Sequence, residues 1–494
     1  MAELGRGLAA RGVAWQPLGG PAGPDGPAPA VTGVTLSSHR VVPGDLYAAL
    51  PAPARTAPTS SATRSRGAPW PCYRPGGRGP RPARNPGLLV EQPRAVLGEL
   101  SAQVYGHPAR ALRTIAVTGT QGKTTTTRLA EQALLAAGVA TGVIGTVGTR
   151  IDGRDIRTAL TTPEAPDLHG LFARMVEEGV QACALEVSSH ALVLGRVDGA
   201  VFDLACFTNL GRDHLDFHAD VEDYFAAKAS LFTPARARRG LVSVDDDYGR
   251  RLLDEAAVPV RTFSARGGTA DWQAVDVRLE ATGSRFTVVG PDGASYDAVV
   301  PLPGAFNVAN ALAAIAACAE VGYAPDAVVA GVAASAGVPG RLERVEGGQD
   351  FVVVVDYAHK PDAVKATLAT LRPLTAGRLW VVLGAGGDRD AGKRPLMGEL
   401  AAAGCDVLIV TDDNPRSEDP AAIRAAVLAG ARGRRAEVLE IGDRRQAIRE
   451  AVGRAGPGDV VLIAGKGHET GQEVAGAVHP FDDRAVAAEE LAAR

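Results

Sequence analysis

Residues 118–126 read Thr-Gly-Thr-Gln-Gly-Lys-Thr-Thr-Thr and lie between an apolar run and a helical one. Backbone N–H groups in such a turn converge at the positive end of a helix, where phosphates bind. Within it, Lys123 is placed to neutralise β/γ-phosphate charge and the Thr124 hydroxyl to bind Mg²⁺. Val117 stands where the general phosphate-loop pattern has its first glycine. The turn predicts ATP binding and leaves ATPase, kinase and ligase chemistry open.

Further polar residues follow apolar runs that read as buried strands. Glu186 ends "ACALEV", where a carboxylate beside a phosphate loop is a natural Mg²⁺ ligand and equally a helix-cap acid. "TNLGRDHLDFH" brings Asp213, His214, Asp216 and His218 to another strand end, and such a cluster points to catalysis. Lys228 lies on an amphipathic helix, "YFAAKASLF", where the plain alternative is a snorkelling lysine. Only six of the 52 Lys and Arg residues are lysine. Generic positive charge is therefore supplied by arginine, and Lys123, Lys228 and Lys466 stand out inside motifs. "TDDNPRSED", residues 411–419, has ordinary turn chemistry, yet its Arg416 follows the apolar strand "CDVLIV".

These residues require particular elements to position them. "TIAVTG" (114–119) reads as a strand and "GKTTTTRLAEQALLAAG" as a helix ended by Gly138. Strands follow at 182–187, 204–209 and 240–245, and a helix at 307–322. The pattern restarts with "FVVVVDYAH", "LWVVLGAGGDRD", "DVLIVTDDNPR" and "DVVLIAGKGHE". β-α repetition predicts parallel sheets whose ligands bind beyond the strands' carboxyl ends. Asp356, Gly386–Arg389, Asp412–Arg416 and Gly465–Glu469 occupy such ends. The expected class is α/β, with domains at 1–110, 111–338 and 339–494.

A net charge of -4 gives no reason to expect nucleic acid or an anionic membrane as partner. Neither a spanning apolar stretch nor a signal pattern is read, and five scattered cysteines form no disulfide or metal spacing. A cytoplasmic chain is expected. Residues 51–90 differ from the rest, with nine prolines, seven arginines and no Asp or Glu. By composition alone this is a basic linker or loop.

"GTQGKTTT", "EVSSHAL", "TNLGRDHLDFH", "AKASLF", "FNVANALAA" and "VDYAHKPDA", in this order, resemble the Mur ligase family. These are cytoplasmic, ATP-dependent amide-forming enzymes of peptidoglycan assembly. "LTTPEAPDLH", "GAGGDRDAGKRPLMG", "DNPR" and "AGKGHETGQ" are similar to its diaminopimelate-adding branch, and the likeness runs from about residue 90 to the end. It implies a small N-terminal α/β uridine-binding domain, a central phosphate-loop ATPase-like parallel sheet and a C-terminal Rossmann-like domain.

The resemblance also implies roles. Gly119, Thr120, Gln121, Gly122, Lys123 and Thr124 would hold ATP phosphates, with Asn310 near the adenine and Arg341 and Asp356 meeting the nucleotide. Thr124 and Glu186 would bind one Mg²⁺; His214 and Lys228, the latter carbamylated by CO₂, would serve a second. Leu36, Ser38, Thr161, Thr162, Ser188 and Arg196 would contact UDP-MurNAc-L-Ala-D-Glu. Arg389, Asp413, Asn414, Pro415, Arg416, Gly465 and Glu469 would form the meso-diaminopimelate pocket, Arg416 pairing with the carboxylate that lysine lacks. Lys123, Glu186, His214, Lys228 and Arg341 would be the catalytic set, in a monomer. Alternatives within the superfamily are a lysine-adding or folylpolyglutamate-type ligase; outside catalysis, a weakly active scaffold.

The N-terminal region departs from the family pattern. Ser37 and His39 stand where Asp and Arg usually precede "V-x-P-G-D-L", and the Pro/Arg tract breaks the family pattern after Leu50. We read residues 51–87 as out-of-frame translation between two compensating indels. Resequencing the gene tests this: a different frame is expected, and the same frame with a purified chain of 50.8 kDa overturns it.

Overall fold

The computed structural model describes residues 2–18, 31–37, 40, 42, 45–48, 50, 87–280 and 282–494. Ser38, His39 and the Pro/Arg tract to residue 86 lie outside the described residues. In the N-terminal region Trp15–Leu18 pairs antiparallel with Gly87–Val90, and Gly33–Thr35 parallel with Asp45–Tyr47. Helix Pro93–Val104 lies against the next domain so closely that a Cβ on Gly98 would meet the Asp198 backbone.

At the centre is an 11-stranded sheet. A central strand, β1 (Arg113–Thr118), is apolar on both faces, as a strand covered by helices must be. Helix α1 (Lys123–Ala136) leaves β1 through the glycine-rich turn. On one side β1 pairs with β2 (Ala182–Glu186), on the other with β3 (Leu204–Phe207), both parallel. The chain crosses from one side of β1 to the other here, so the turn opens at the topological switch point of the sheet. Helix α2 (Val221–Ala229) covers one face, and α3 (Ala305–Glu320), nearly all Ala and apolar, covers the other with α1.

The expected parallel sheet describes only part of this. Seven strands run parallel, while 148–151 and 154–156 close one edge antiparallel and 283–289 and 295–300 the other. Hairpins read in sequence as turn-separated alternation, and those motifs had no site residue to draw attention to them. A further helix, Pro325–Ala333, follows α3 before the domain ends.

The third domain holds β4 (Val352–Asp356), β5 (Leu379–Leu383), β6 (Val407–Val410) and β7 (Val460–Ala464) in the spatial order β4-β7-β5-β6, all parallel. The four strands that carry ligand-like ends are thus consecutive neighbours. Arg444 anchors two of those ends from below. Fully buried, it pairs with Asp483 at 2.7 Å and donates to the Ala464 carbonyl at 3.0 Å and the Asp412 carbonyl at 3.5 Å.

Candidate active site

The turn after β1 is built tightly. Gly122 has φ 86°, the left-handed region, and a Cβ there would strike Asn310 Oδ1 on α3. Asn310 is itself fixed by Asn307 at 3.2 Å. Thr120 and Gln121 bind the loop after β3: Thr120 N–H donates to Asn209 O at 2.9 Å and Gln121 N–H to Asn209 Oδ1 at 3.0 Å. Half-buried Lys123 curls over the turn, donating to the carbonyls of Gly119 at 2.8 Å and Thr120 at 3.0 Å. Burial, opposed by Glu186 and aided by the charge of Lys360, lowers its pKa to about 8.

Lys228 does not snorkel. Its side chain is 1% exposed, its Nζ donates to the same Gly119 carbonyl at 2.8 Å, and it lies 4.5 Å from the Tyr224 ring centroid. Burial first, then the charge of Lys123, drives its pKa well below that of a free lysine. Thr124 Oγ1 donates to Glu186 Oε2 at 3.1 Å, and Glu186 also receives Thr146 N–H at 2.8 Å and Thr146 Oγ1 at 3.0 Å. Thr124 and Glu186 present two hard oxygen donors at a helix N-terminus, which fits Mg²⁺, an ion that takes few protein ligands beside phosphate and water.

The third domain contributes directly to this centre. Arg341 Nη2 donates to Thr124 Oγ1 at 3.2 Å, its guanidinium lies over Tyr357, and its buried Nε has no partner among the described residues. Lys360 pairs with Asp213, which also lies 3.1 Å from His214 Nε2. Burial alone would raise Asp213, but Lys360 and His214 bring it to about 2. Burial lowers His214 to about 4 and keeps it neutral. Asp356 is buried with its pKa raised by burial, and its oxygens accept Leu342 N–H at 2.8 Å and Thr367 Oγ1 at 3.2 Å. It therefore fixes the turn that carries Arg341. Asp216 is exposed, and His218 pairs with Asp223 at 3.0 Å, so neither joins the cluster around Lys123.

A second group forms beside β2. Thr161 Oγ1 meets Thr146 Oγ1 at 3.2 Å, and Thr162 Oγ1 donates to the Glu186 carbonyl at 2.7 Å. Ser188 N–H donates to Thr162 Oγ1 at 3.2 Å, and the Ser188 side chain caps the following short helix. Arg196 is turned toward Glu164 at 2.9 Å, which also holds Arg94 at 3.0 Å. Leu36 packs beside Val34, Leu97 and Ala165 and is part of the N-terminal apolar cluster.

At the ends of β5, β6 and β7 the residues of "DNPR" are drawn together. Asn414 Nδ2 donates to Glu469 Oε2 at 2.8 Å, and its Oδ1 accepts fully buried Lys466 at 3.1 Å. Gly465, with φ 118°, leaves room for Asp413, whose carboxylate a Cβ would hit. Arg416 has φ 54°; Nη1 donates to the Gly387 carbonyl at 2.7 Å and Nε lies 3.3 Å from Glu473. Pro415 precedes it in a trans bond and accepts Glu418 N–H at 3.1 Å. Arg389 is exposed, with its charge felt at Tyr357.

Sequence reading missed Lys360, Lys393, Thr146 and Glu473. Lys393 donates to the His359 carbonyl at 2.9 Å, and its pKa is lowered by burial and by Lys360. The scarcity of lysine was the available signal: five of the six, all but Lys365, stand at these loops.

Residues 117–318 match the Mur ligase middle domain and residues 340–467 the Mur ligase glutamate ligase domain. A UDP-N-acetylmuramoyl-L-alanyl-D-glutamate–2,6-diaminopimelate ligase of Streptomyces coelicolor is 54% identical over 480 residues, 96% of this chain and 94% of that one. The chain belongs to the Mur ligase family. A UDP-N-acetylmuramyl-tripeptide synthetase of Leifsonia xyli is 45% identical over 473 residues, 92% of this chain and 90% of that one. A solved structure of a UDP-N-acetylmuramoyl-L-alanyl-D-glutamate–2,6-diaminopimelate ligase is 37% identical, with TM-score 0.60 over 81% of this chain and 82% of that one. Among the described residues no helix is long and apolar enough to cross a membrane.

Burial also lowers His169 to about 4, His359 to about 3 and His468 to about 4, from an ordinary 6.5. A depressed folded-state pKa means that the unfolded chain binds the proton first as pH falls. This Mur ligase should therefore hold its stability above pH 6.5 and lose it progressively toward pH 4. Urea midpoints measured between these limits should fall steadily, and a flat profile would contradict the assigned burial.

Proposed function

We propose that this chain is an ATP-dependent amide ligase that adds diaminopimelate to the D-Glu γ-carboxylate of UDP-N-acetylmuramoyl-L-alanyl-D-glutamate, in peptidoglycan precursor synthesis. The observation that carries the reading is the meeting of the phosphate loop with Arg341, and of the neighbouring Asp213 loop with Lys360, both from the domain that bears "DNPR". Relatives named for this reaction, 54% identical over nearly the whole chain, support it.

Phosphoryl transfer from ATP converts the γ-carboxylate to an acyl phosphate and leaves ADP. The amine of diaminopimelate then attacks the acyl carbon, the C–O bond to phosphate breaks, and a proton is lost as the amide forms. A carboxylate alone is a poor acyl donor, which is why phosphorylation comes first. Lys123 and Arg341 neutralise charge on the transferred group, and the turn's N–H groups hold the remaining phosphates. Gly119, Thr120, Gln121 and Gly122 form that turn, Asn310 borders it, and Asp356 steadies the Arg341 turn. Thr124 and Glu186 would hold one Mg²⁺, which would supply charge neutralisation when bound. His214 and Lys228 would serve a second Mg²⁺ if Lys228 is carbamylated, its neutral amine adding to CO₂ with formation of an N–C bond and loss of a proton. Lowered basicity through burial supports this role.

Thr161, Thr162, Ser188 and Arg196, with Leu36 and Ser38, are assigned to the UDP-dipeptide. Arg389, Asp413, Asn414, Pro415, Arg416, Gly465 and Glu469 are assigned to diaminopimelate. Arg416 offers its remaining guanidinium donors to the carboxylate that lysine lacks, and lysine would leave those donors unfilled. A monomer and a cytoplasmic location belong to the same reading, since ATP and UDP-linked substrates are cytoplasmic metabolites.

Phosphate release with ATP, Mg²⁺ and the UDP-dipeptide should depend on diaminopimelate and be weak with lysine. Arg416→Lys should cost at least about tenfold in kcat/KM for diaminopimelate, the loss of one charge-assisted pairing. Lys228→Ala should remove activity with any amine. Equal, mild effects of both variants, or preference for lysine, would refute these roles.

A further inference from the structure

The segment after "KGHE" is a hairpin, Gly471–Val474 with Ala477–Pro480, turned by Ala475 and Gly476 at positive φ. Its first strand is sewn to the "DNPR" loop. Gln472 Nε2 donates to Asp413 O at 2.7 Å, Glu473 N–H to Asn414 Oδ1 at 2.9 Å, Arg416 N–H to Glu473 O at 3.0 Å and Ala475 N–H to Arg416 O at 2.7 Å. This backbone clamp places the Glu473 carboxylate against the Arg416 guanidinium.

The other acids of the pocket are already matched. Lys466, fully buried, lies 3.2 Å from Glu469 and 3.8 Å from Asp413. Glu469 Oε2 accepts both Lys466 and Asn414, so an incoming ammonium would compete with a resident one. Glu473 has no lysine partner: Oε2 faces Arg416 Nε at 3.3 Å, and Oε1 accepts no hydrogen bond among the described residues. Arg416 makes one side-chain hydrogen bond, Nη1 to the Gly387 carbonyl, and meets Glu473 as an ion pair at Nε, which leaves Nη2 and the second Nη1 hydrogen of its five donors outside both contacts.

The far end of diaminopimelate carries a carboxylate and an ammonium on one carbon. An arginine and a glutamate side by side are the complement of that pair. We propose that Glu473 accepts the distal ammonium of the incoming amino acid while Arg416 takes the carboxylate on the same carbon. The inference rests on the diaminopimelate-adding reading above. It makes specificity a two-charge test: lysine fails at Arg416, and an acid without the distal amine fails at Glu473. Because this end is remote from the forming bond, the contact acts in ground and transition states alike and appears in KM.

The test pairs two substrates with two proteins: diaminopimelate and 2-aminopimelate, which has hydrogen in place of the distal amine, with the wild-type chain and Glu473→Gln. Glu473 is 40% exposed, and glutamine keeps the backbone clamp, so folding is preserved. Wild type should favour diaminopimelate by about tenfold in kcat/KM, the scale of one charge-assisted hydrogen bond. Glu473→Gln should erase most of that preference by raising KM for diaminopimelate, with a far smaller change for 2-aminopimelate. Equal losses on both substrates would make Glu473 only a clamp for the loop, and no loss on either would leave it outside the site; each overturns the proposal. A wild-type chain that does not use diaminopimelate overturns the ligase reading, and this inference with it.

Discussion

Lys123 and Lys228 donate to one and the same oxygen, the carbonyl of Gly119. Two ammonium groups so close repel unless one sheds its proton or an anion comes between them. Burial supplies the first remedy by lowering Lys228, and a bound polyphosphate supplies the second. Arg341, Lys360 and Lys393 arrive from the third domain at the same seam, faced most directly by Glu186 and Asp213. Positive charge in excess of its carboxylates concentrates polyanions. The same excess links nucleotide binding to domain contact, since the cations of the two domains are best tolerated around shared phosphate.

The fold makes this seam from two sheets of the same logic. In each, the strands that matter are neighbours: β1 between β2 and β3, and β4, β7, β5, β6 in sequence across the sheet. Their carboxyl ends therefore open side by side, and loops distant in the chain share one pocket. Arg444 ties the ends of β6 and β7 to Asp483 in the interior, so the pocket loops start from fixed points. Above them the 471–474 strand fixes Arg416 through its backbone as well as its side chain.

The phosphate turn, Glu186 and the strand-end loops were legible because their chemistry sits in contiguous motifs at strand–helix junctions. Lys228 was only half legible. Its helix reads as amphipathic, and depth of burial depends on α2 packing beside a turn 109 residues earlier. The Lys360–Asp213 pair spans 147 residues and two domains, beyond the reach of any periodicity. Glu469 reads as a diaminopimelate-pocket residue, yet Lys466, three residues before it, already pairs with it at 3.2 Å. Lysine scarcity pointed to the site better than motif spacing did, because it reports what arginine cannot replace. The antiparallel edges at 148–156 and 283–300 carried no chemistry and went unread. The Streptomyces coelicolor relative matches 96% of the chain, while Ser38, His39 and the Pro/Arg tract lie outside the described residues.

In the proposed chemistry ATP activates a carboxylate at this seam before an amine attacks it. The direct measurement is isotope transfer from UDP-dipeptide labelled with ¹⁸O in the D-Glu γ-carboxylate, turned over with ATP and diaminopimelate. Breaking the acyl C–O bond sends one labelled oxygen into each phosphate released. One ¹⁸O per phosphate is the predicted result. Unlabelled phosphate, with all ¹⁸O retained by the peptide, would show hydrolysis uncoupled from acyl activation and would contradict the account.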